Sequence, residues 1–392
     1  MVDGIKKAID YIKSNDAYIK KAIELQCSVW RCEKTDMPPL ALSCWLTEKQ
    51  QSWLPWYNFK EIHFDGEKMF INGLREVLTA VNGNYGRVPS MRANMGCGIV
   101  PSLFGKQQTL FEDKMPWLLE HLKKEDIKNI SEDYIFSINN SAEFAAAMEH
   151  MEYMTGILRG NKLTGKVFVY PLDLQGAIDT AHLVYGDSIF YDFYDDPDFM
   201  YHLLNLSNKL IYFAMNECFK RIDKSDEYIT HYNSIIMPKS MGGIKVSEDT
   251  TTLLSPPLID EFSEPYLRKI LSHFNGGYVH YCGKNDHLLN MLLNEPLVRG
   301  INFGNPEKHD MTKILEKCRD SKKIYYGSVN KKDGEDLFDY FVRVLEPSYD
   351  RNAGYFYIIL EYGCGLSERE NVIGEFERAA EYVIKNCEQT GA

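Results

Sequence analysis

The clearest chemical signal in the chain is a histidine and a cysteine two positions apart. They close the run Gly276-Gly277-Tyr278-Val279-His280-Tyr281-Cys282-Gly283. The run is short, apolar and bounded by glycine, which reads as a strand. Side chains at i and i+2 of a strand share one face, so the His280 imidazole and the Cys282 thiol project together. Such a pair is half of a zinc site; the other reading is the buried end of a strand. A second run, Tyr355-Phe356-Tyr357-Ile358-Ile359-Leu360-Glu361-Tyr362-Gly363-Cys364-Gly365, ends in the same Cys-Gly step and supplies a third ligand, Cys364. Three protein ligands with a fourth position open is the arrangement of a catalytic zinc. A structural site takes four close-spaced ligands, and no C-x-x-C unit is present. Two thiolates and one imidazole make an electron-rich zinc, a poor activator of water that holds a substrate thiol as a nucleophilic thiolate. The chemistry expected is alkyl transfer to sulfur.

The elements that must carry these ligands follow from periodicity. Residues 1 to 35 read as a helical capping segment, with Ile5, Ala8, Ile9 and Ile12 at helical spacing. Pro38 to Leu46 reads as a buried strand, 66 to 81 as a helix, and Arg87 to Phe104 as extended chain whose Arg87, Arg92, Asn94 and Cys97 line a pocket or form a turn. Further on come a helix at 141 to 159, a strand at 166 to 173, and helices at 176 to 186 and 197 to 222. A strand at 226 to 236 then opens into the glycine-containing loop Met241-Gly242-Gly243-Ile244, ahead of a helix at 257 to 273. Strands at 276–282, 298–304, 322–329 and 354–363 then alternate with helices at 285–294, 307–319, 333–345 and 368–388. About eight buried strands, mostly followed by helices, require parallel pairing and fit a (βα)8 TIM barrel with an N-terminal helical extension. An open doubly wound sheet is the alternative. The division expected is 1–85 for the extension with the first barrel strand and its insertion, and 86–392 for the remainder of one structural domain. In a barrel, functional groups gather at the C-terminal ends of the strands, where His280, Cys282 and Cys364 all fall.

Composition narrows the partners. Against 44 basic residues stand 56 acidic ones, a formal charge of -12 with no long run of either sign, which disfavours nucleic acid. No apolar stretch approaches the ~18 residues of a membrane span, and the start of the chain lacks a signal peptide's apolar core. The expected location is the cytoplasm, where nine scattered cysteines read as free thiols and ligands. No glycine-rich nucleotide fingerprint follows any strand.

The block from Gly243 to Pro256 with its Leu254-Ser255-Pro256 ending, then Phe262-Ser263-Glu264-Pro265-Tyr266, Val279-His280-Tyr281-Cys282-Gly283 and Gly300-Ile301-Asn302-Phe303-Gly304, resembles the uroporphyrinogen decarboxylase-like superfamily. Within it the chain is most similar to the zinc-dependent methylcobamide:coenzyme M methyltransferase type, over most of the sequence from about residue 86 onward. The resemblance implies a (βα)8 barrel and a zinc held by a histidine-x-cysteine pair plus a distant cysteine. His280 and Cys282 match the pair, and Cys364, 82 positions beyond Cys282, matches the third. It implies transfer of a methyl group from a methylated corrinoid, carried on a partner protein, to a zinc-bound thiol such as coenzyme M, or to another acceptor such as tetrahydrofolate. The decarboxylase branch fits less well: Ser28-Val29-Trp30-Arg31-Cys32-Glu33-Lys34-Thr35 lacks the arginine-glutamine-alanine-glycine-arginine run of that enzyme.

Asp249, before Leu-Ser-Pro, faces the pocket or caps a helix. Asp173 and Gln175, at a strand end, contact substrate or form a turn, and Tyr232 with His231 stands at another. Asn302 is a candidate for the fourth zinc position. Three functions compete: the corrinoid methyltransferase, a metal-independent lyase acting on a tetrapyrrole or other carboxylate, and a corrinoid-binding component that transfers nothing. Metal content separates the first from the second, and thiol-dependent loss of the cobalt-bound methyl separates it from the third.

Overall fold

The computed structural model describes residues 2–389 except 36, 224, 226, 232 and 233. Its centre is a parallel sheet whose strands are β1 (Leu40–Cys44), β6 (Ile244–Ser247), β7 (Gly277–Tyr281), β8 (Val298–Phe303), β9 (Ile324–Gly327) and β12 (Ile358–Cys364). They lie in the order β1-β12-β9-β8-β7-β6. Every pairing is parallel, as expected of strands that are buried on both faces and joined through helices. A further parallel pair, β2 (Ser90–Met91) with β3 (Phe168–Val169), stands beside it. Gly86 N bonds Leu40 O at 3.0 Å near the β1 edge, and a parallel bridge joins Gln175 to Ser247 at the β6 edge. This mixed α/β arrangement is compatible with a TIM-barrel-like fold.

The helices start where side chains satisfy their free N–H groups. Asp196 accepts from Phe199 N ahead of Pro197–Arg221, which carries proline in its first turn, and Asn285 accepts from His287 N and Leu288 N ahead of Asp286–Asn294. The expected 1 to 35 helix is two, Val2–Ser14 and Ile19–Trp30. The second packs against one end of the sheet: Trp30 lies in a buried cluster with Ala41, Tyr278, Tyr326, Tyr357 and Ile359. Leu40, Leu42, Val279, Tyr281 and Leu360, with the opposite parity on the same strands, belong to the larger core shared with the surrounding helices. The alternation of a strand thus divides each one between two environments.

Two expectations need correction around residue 240. The strand expected at 226–236 is an antiparallel hairpin, β4 (Tyr228–His231) with β5 (Ile235–Pro238), and takes no place in the central sheet. The strand beside β7 is instead β6, which lies in the stretch following the glycine loop. Its Ile244-Lys245-Val246-Ser247 is too short, and its lysine too polar, for hydrophobic patterning to register. Two minor strands complete the chain, β10 (Tyr349–Asp350) with β11 (Tyr355–Phe356). Among the described residues no helix is long and apolar enough to cross a membrane.

Candidate metal centre

β7 delivers the histidine and cysteine together. Tyr278 lies in the apolar cluster at one end of the sheet, and His280, two residues on and on the same face, reaches the other. Cys282 follows at the exposed end, its Sγ 3.6 Å from His280 Nε2. Gly304 makes room for it, because a Cβ there would sit 2.4 Å from that sulfur. The loop after β6 contributes Asp249, whose Oδ1 accepts from Cys282 N at 2.5 Å and lies 3.9 Å from His280 Nε2. Asp249 makes no helix-capping bond with this carboxylate; it faces the strand end.

Among the described residues, these three are the group of His, Cys, Asp and Glu side chains whose donor atoms all lie within 4.8 Å of one another. Imidazole nitrogen, thiolate and carboxylate are all zinc ligands, and donors on one tetrahedral zinc sit roughly 3.3–3.8 Å apart given bond lengths near 2.0–2.3 Å. The separations of 3.6 and 3.9 Å fit with little movement. Burial, then the Lys245 charge, pushes the His280 imidazole below its ordinary pKa and so keeps it neutral, as a ligand requires. Burial, with the Asp249 charge beside it, pushes the Cys282 thiol up to about 11; a bound cation reverses that by stabilising the thiolate.

Cys364, expected as the third ligand, is not in this group. Its Sγ lies 3.5 Å from that of Cys44, its register partner on the neighbouring parallel strand, and both are buried. The cause is parity. Cys44 and Cys364 alternate in phase with Leu40, Leu42 and Leu360, and they share the core on the helix side. Glu361, one residue out of phase with Cys364, turns the other way and meets Arg87 at 3.2 Å. In sheet order, β9 and β8 stand between the strand of Cys364 and that of His280.

The remaining expected residues take distinct places. Asp173 and Gln175 line a cavity of about 280 Å³ together with Cys97, Lys245, Asp249 and His280. Asp173 pairs with Lys245 Nζ at 2.5 Å and with Arg92 Nη1 at 3.2 Å. Burial alone would raise its carboxyl, but these two cations hold it far below the usual range, so it stays a fixed anion. Asn302 does not approach as a ligand; its Oδ1 meets His280 Nδ1 at 2.5 Å, on the ring edge away from the cysteine. Tyr232 lies outside the described residues, and His231 is buried on the hairpin with its ring against Tyr278. Arg87, Arg92 and Asn94 line a second, polar cavity of about 330 Å³.

Sequence reasoning passed over Lys245, Asp179 and Glu248. A lysine inside an apolar tetrapeptide was the available signal for the first. Asp179 accepts from Asp249 N at 2.8 Å and from Thr250 N at 2.5 Å, so it fixes the loop that presents Asp249. Burial and the Asp249 charge raise Asp179 to about 7; burial and the Asp179 charge raise Glu248 to about 8. No local spacing announces these contacts, because they join residues about 70 positions apart.

No protein-family model matches the chain, and no curated protein matches it in sequence. Among solved structures it is similar to a methyltransferase from Methanosarcina mazei, with a TM-score of 0.63 and 13% identity, over 91% of this chain and 97% of that one. At that identity the likeness is one of fold.

Proposed function

We propose that the chain is a zinc-dependent methyltransferase that moves a methyl group from a methylated corrinoid on a partner protein to the sulfur of a small thiol. The observation that carries this reading is the convergence of Asp249, His280 and Cys282 at the edge of the cavity of about 280 Å³. The methyltransferase identity of the fold neighbour supports it, as does the sequence resemblance. The parallel strands and the bonds at both edges of the sheet support a closed (βα)8 barrel with this site at its mouth.

Zinc, when bound, lowers the pKa of an acceptor thiol and keeps it nucleophilic. His280 and Cys282 supply two ligand atoms from one strand face, and Asp249 supplies the third. Asp249 also anchors the strand end through the Cys282 N–H. The Asp173 carboxylate, neutralised by Lys245 and Arg92, gives the cavity a fixed polar wall and takes up no proton near neutrality. Trp117, partly exposed, offers the cavity an apolar edge. A methylated corrinoid would supply the methyl group without its bonding electron pair; the acceptor sulfur would provide the pair for the new carbon–sulfur bond, and the thiol proton would pass to solvent. A cavity at the low end of small-molecule sites, about 300 Å³ and upward, favours a compact acceptor.

Purified protein should carry about one zinc per chain and demethylate methylcobalamin only when a thiol such as 2-mercaptoethanesulfonate is added, followed by the cobalt spectrum. Cys282→Ser should lose both the metal and the thiol-dependent reaction. A metal-free protein with full activity, or a wild-type protein inert with every thiol tried, rules the reading out.

A further inference from the structure

His280 faces its fellow ligands through one ring nitrogen, and the surroundings decide which one. Nε2 points at the gap between Cys282 Sγ, 3.6 Å away, and Asp249 Oδ1, 3.9 Å away. Nδ1 points at Asn302 Oδ1, 2.5 Å away. A neutral imidazole carries a single N–H, and the nitrogen that has an acceptor in front of it keeps the proton. Which end of the Asn302 amide faces the ring follows from its other neighbour. That neighbour is the main-chain carbonyl oxygen of Tyr326, which only accepts, so the NH2 end must point there. The oxygen is left for His280, whose Nδ1 then donates, and the Nε2 lone pair is exposed toward Cys282 and Asp249.

The fold builds this relay across three strands. Parallel register sets His280 on β7 opposite Asn302 on β8. The β8–β9 pairing, which matches Ile301 with Tyr325, brings the Tyr326 carbonyl alongside the amide. Gly327 leaves the space: a Cβ there would stand 2.7 Å from Asn302 Nδ2. The amide is buried, so water does not compete for either end.

We infer that Asn302 is a positioning residue of the metal centre: held by the Tyr326 carbonyl, it locks His280 in the Nδ1–H tautomer and thereby presents Nε2 as the ligand, without binding metal itself. The inference rests on the metal reading above, yet it can be tested apart from it. Nitrogen-15 NMR of the metal-free full chain, labelled on histidine and with His280→Gln to identify the resonance, reads the tautomer directly. The expected spectrum has Nδ1 protonated and Nε2 bare. A ring protonated on Nε2 overturns the inference whether or not the protein binds zinc, whereas a wild-type chain that binds no zinc sinks the metal reading.

Zinc affinity by chelator competition gives the second readout. Asn302→Leu should bind about 10- to 100-fold more weakly, the usual cost of losing a partner behind a ligand. Asn302→Asp, which keeps an oxygen in front of Nδ1, should recover to within about fivefold of wild type. Gly327→Ala should weaken binding in the same direction although it touches neither His280 nor Cys282. With cobalt in place of zinc, Asn302→Leu should retain the thiolate charge-transfer band while its ligand-field bands change. Folded Asn302→Leu with wild-type zinc affinity overturns the inference.

Discussion

Two strands of the sheet run out into Cys-Gly, and their cysteines meet different surroundings. β7 offers Cys282 on the face that carries His280, at an exposed strand end, with Asp249 bonded to its backbone N–H. β12 offers Cys364 on the opposite face, where it packs against Cys44 under the helices. Burial pushes Cys44 up to about 12 and raises Cys364 as well, so both stay protonated thiols. A shared dipeptide at the end of a strand therefore fixes neither exposure nor chemistry. One residue of phase along the strand decides between the face that carries His280 and the core under the helices.

The largest difference between the two strand ends should come from removing the candidate ligands His280 and Cys282. His280→Ala or Cys282→Ser should weaken zinc binding about 100- to 1000-fold, since a zinc site worth ~10–16 kcal/mol divides among three or four ligands. Chelator competition measures it. The matching changes at the second site, Cys44→Ala or Cys364→Ala, should leave zinc affinity within about twofold. They should instead cost about 1 kcal/mol of stability, read by denaturant unfolding, as loss of a small buried group does.

Acidity bears on the strand end of Cys282 as well. Zinc must displace the proton of Cys282, whose free thiol sits near 11, so affinity should rise about tenfold per pH unit between roughly pH 6 and 9. Burial shifts His280 toward its neutral form, so the cysteine carries the pH dependence. Affinity independent of pH would mean that the thiolate is not a ligand.

A smaller effect concerns the loop behind Asp249. The folded-state pKa values of Asp179 and Glu248 are raised above their unfolded values near 4, to about 7 and 8. The stability they contribute is present below pH ~4, and it is lost as pH rises through about 7 and 8. Metal-free protein should therefore unfold more readily at pH 8 than at pH 5, and Asp179→Asn should flatten that slope, followed by urea midpoints at several pH values.

Much of this organisation is legible in the sequence, and the exceptions share a cause. Long periodic segments gave themselves away: helix Pro197–Arg221 begins at the Asp-Pro signal, and β7, β8, β9 and β12 lie where runs of apolar residues stand between helices. Two-residue spacing placed His280 and Cys282 together. What the pattern could not reveal was phase and partnership. β6 is hidden by its brevity and by Lys245, whose charge is met by Asp173 from 72 positions away and whose Nζ also donates to Ser247 Oγ at 2.6 Å. Asp249 was visible as a candidate but not as a neighbour of sulfur, since a loop's direction is set by contacts such as those from Asp179. Asn302 reads from sequence as a fourth zinc ligand, yet its amide is turned between His280 Nδ1 and the Tyr326 main-chain carbonyl, a contact no side-chain pattern encodes.

Asp249 stands beside His280 and Cys282 where the strand-end pattern points to Cys364. Zinc titration against a competing chelator, run side by side on Asp249→Asn and Cys364→Ser, decides between them. The structure predicts about a 10- to 100-fold loss of affinity for Asp249→Asn and wild-type affinity for Cys364→Ser. Strong binding in Asp249→Asn together with loss in Cys364→Ser would contradict it, and would mean that Cys364 leaves Cys44 to reach the metal.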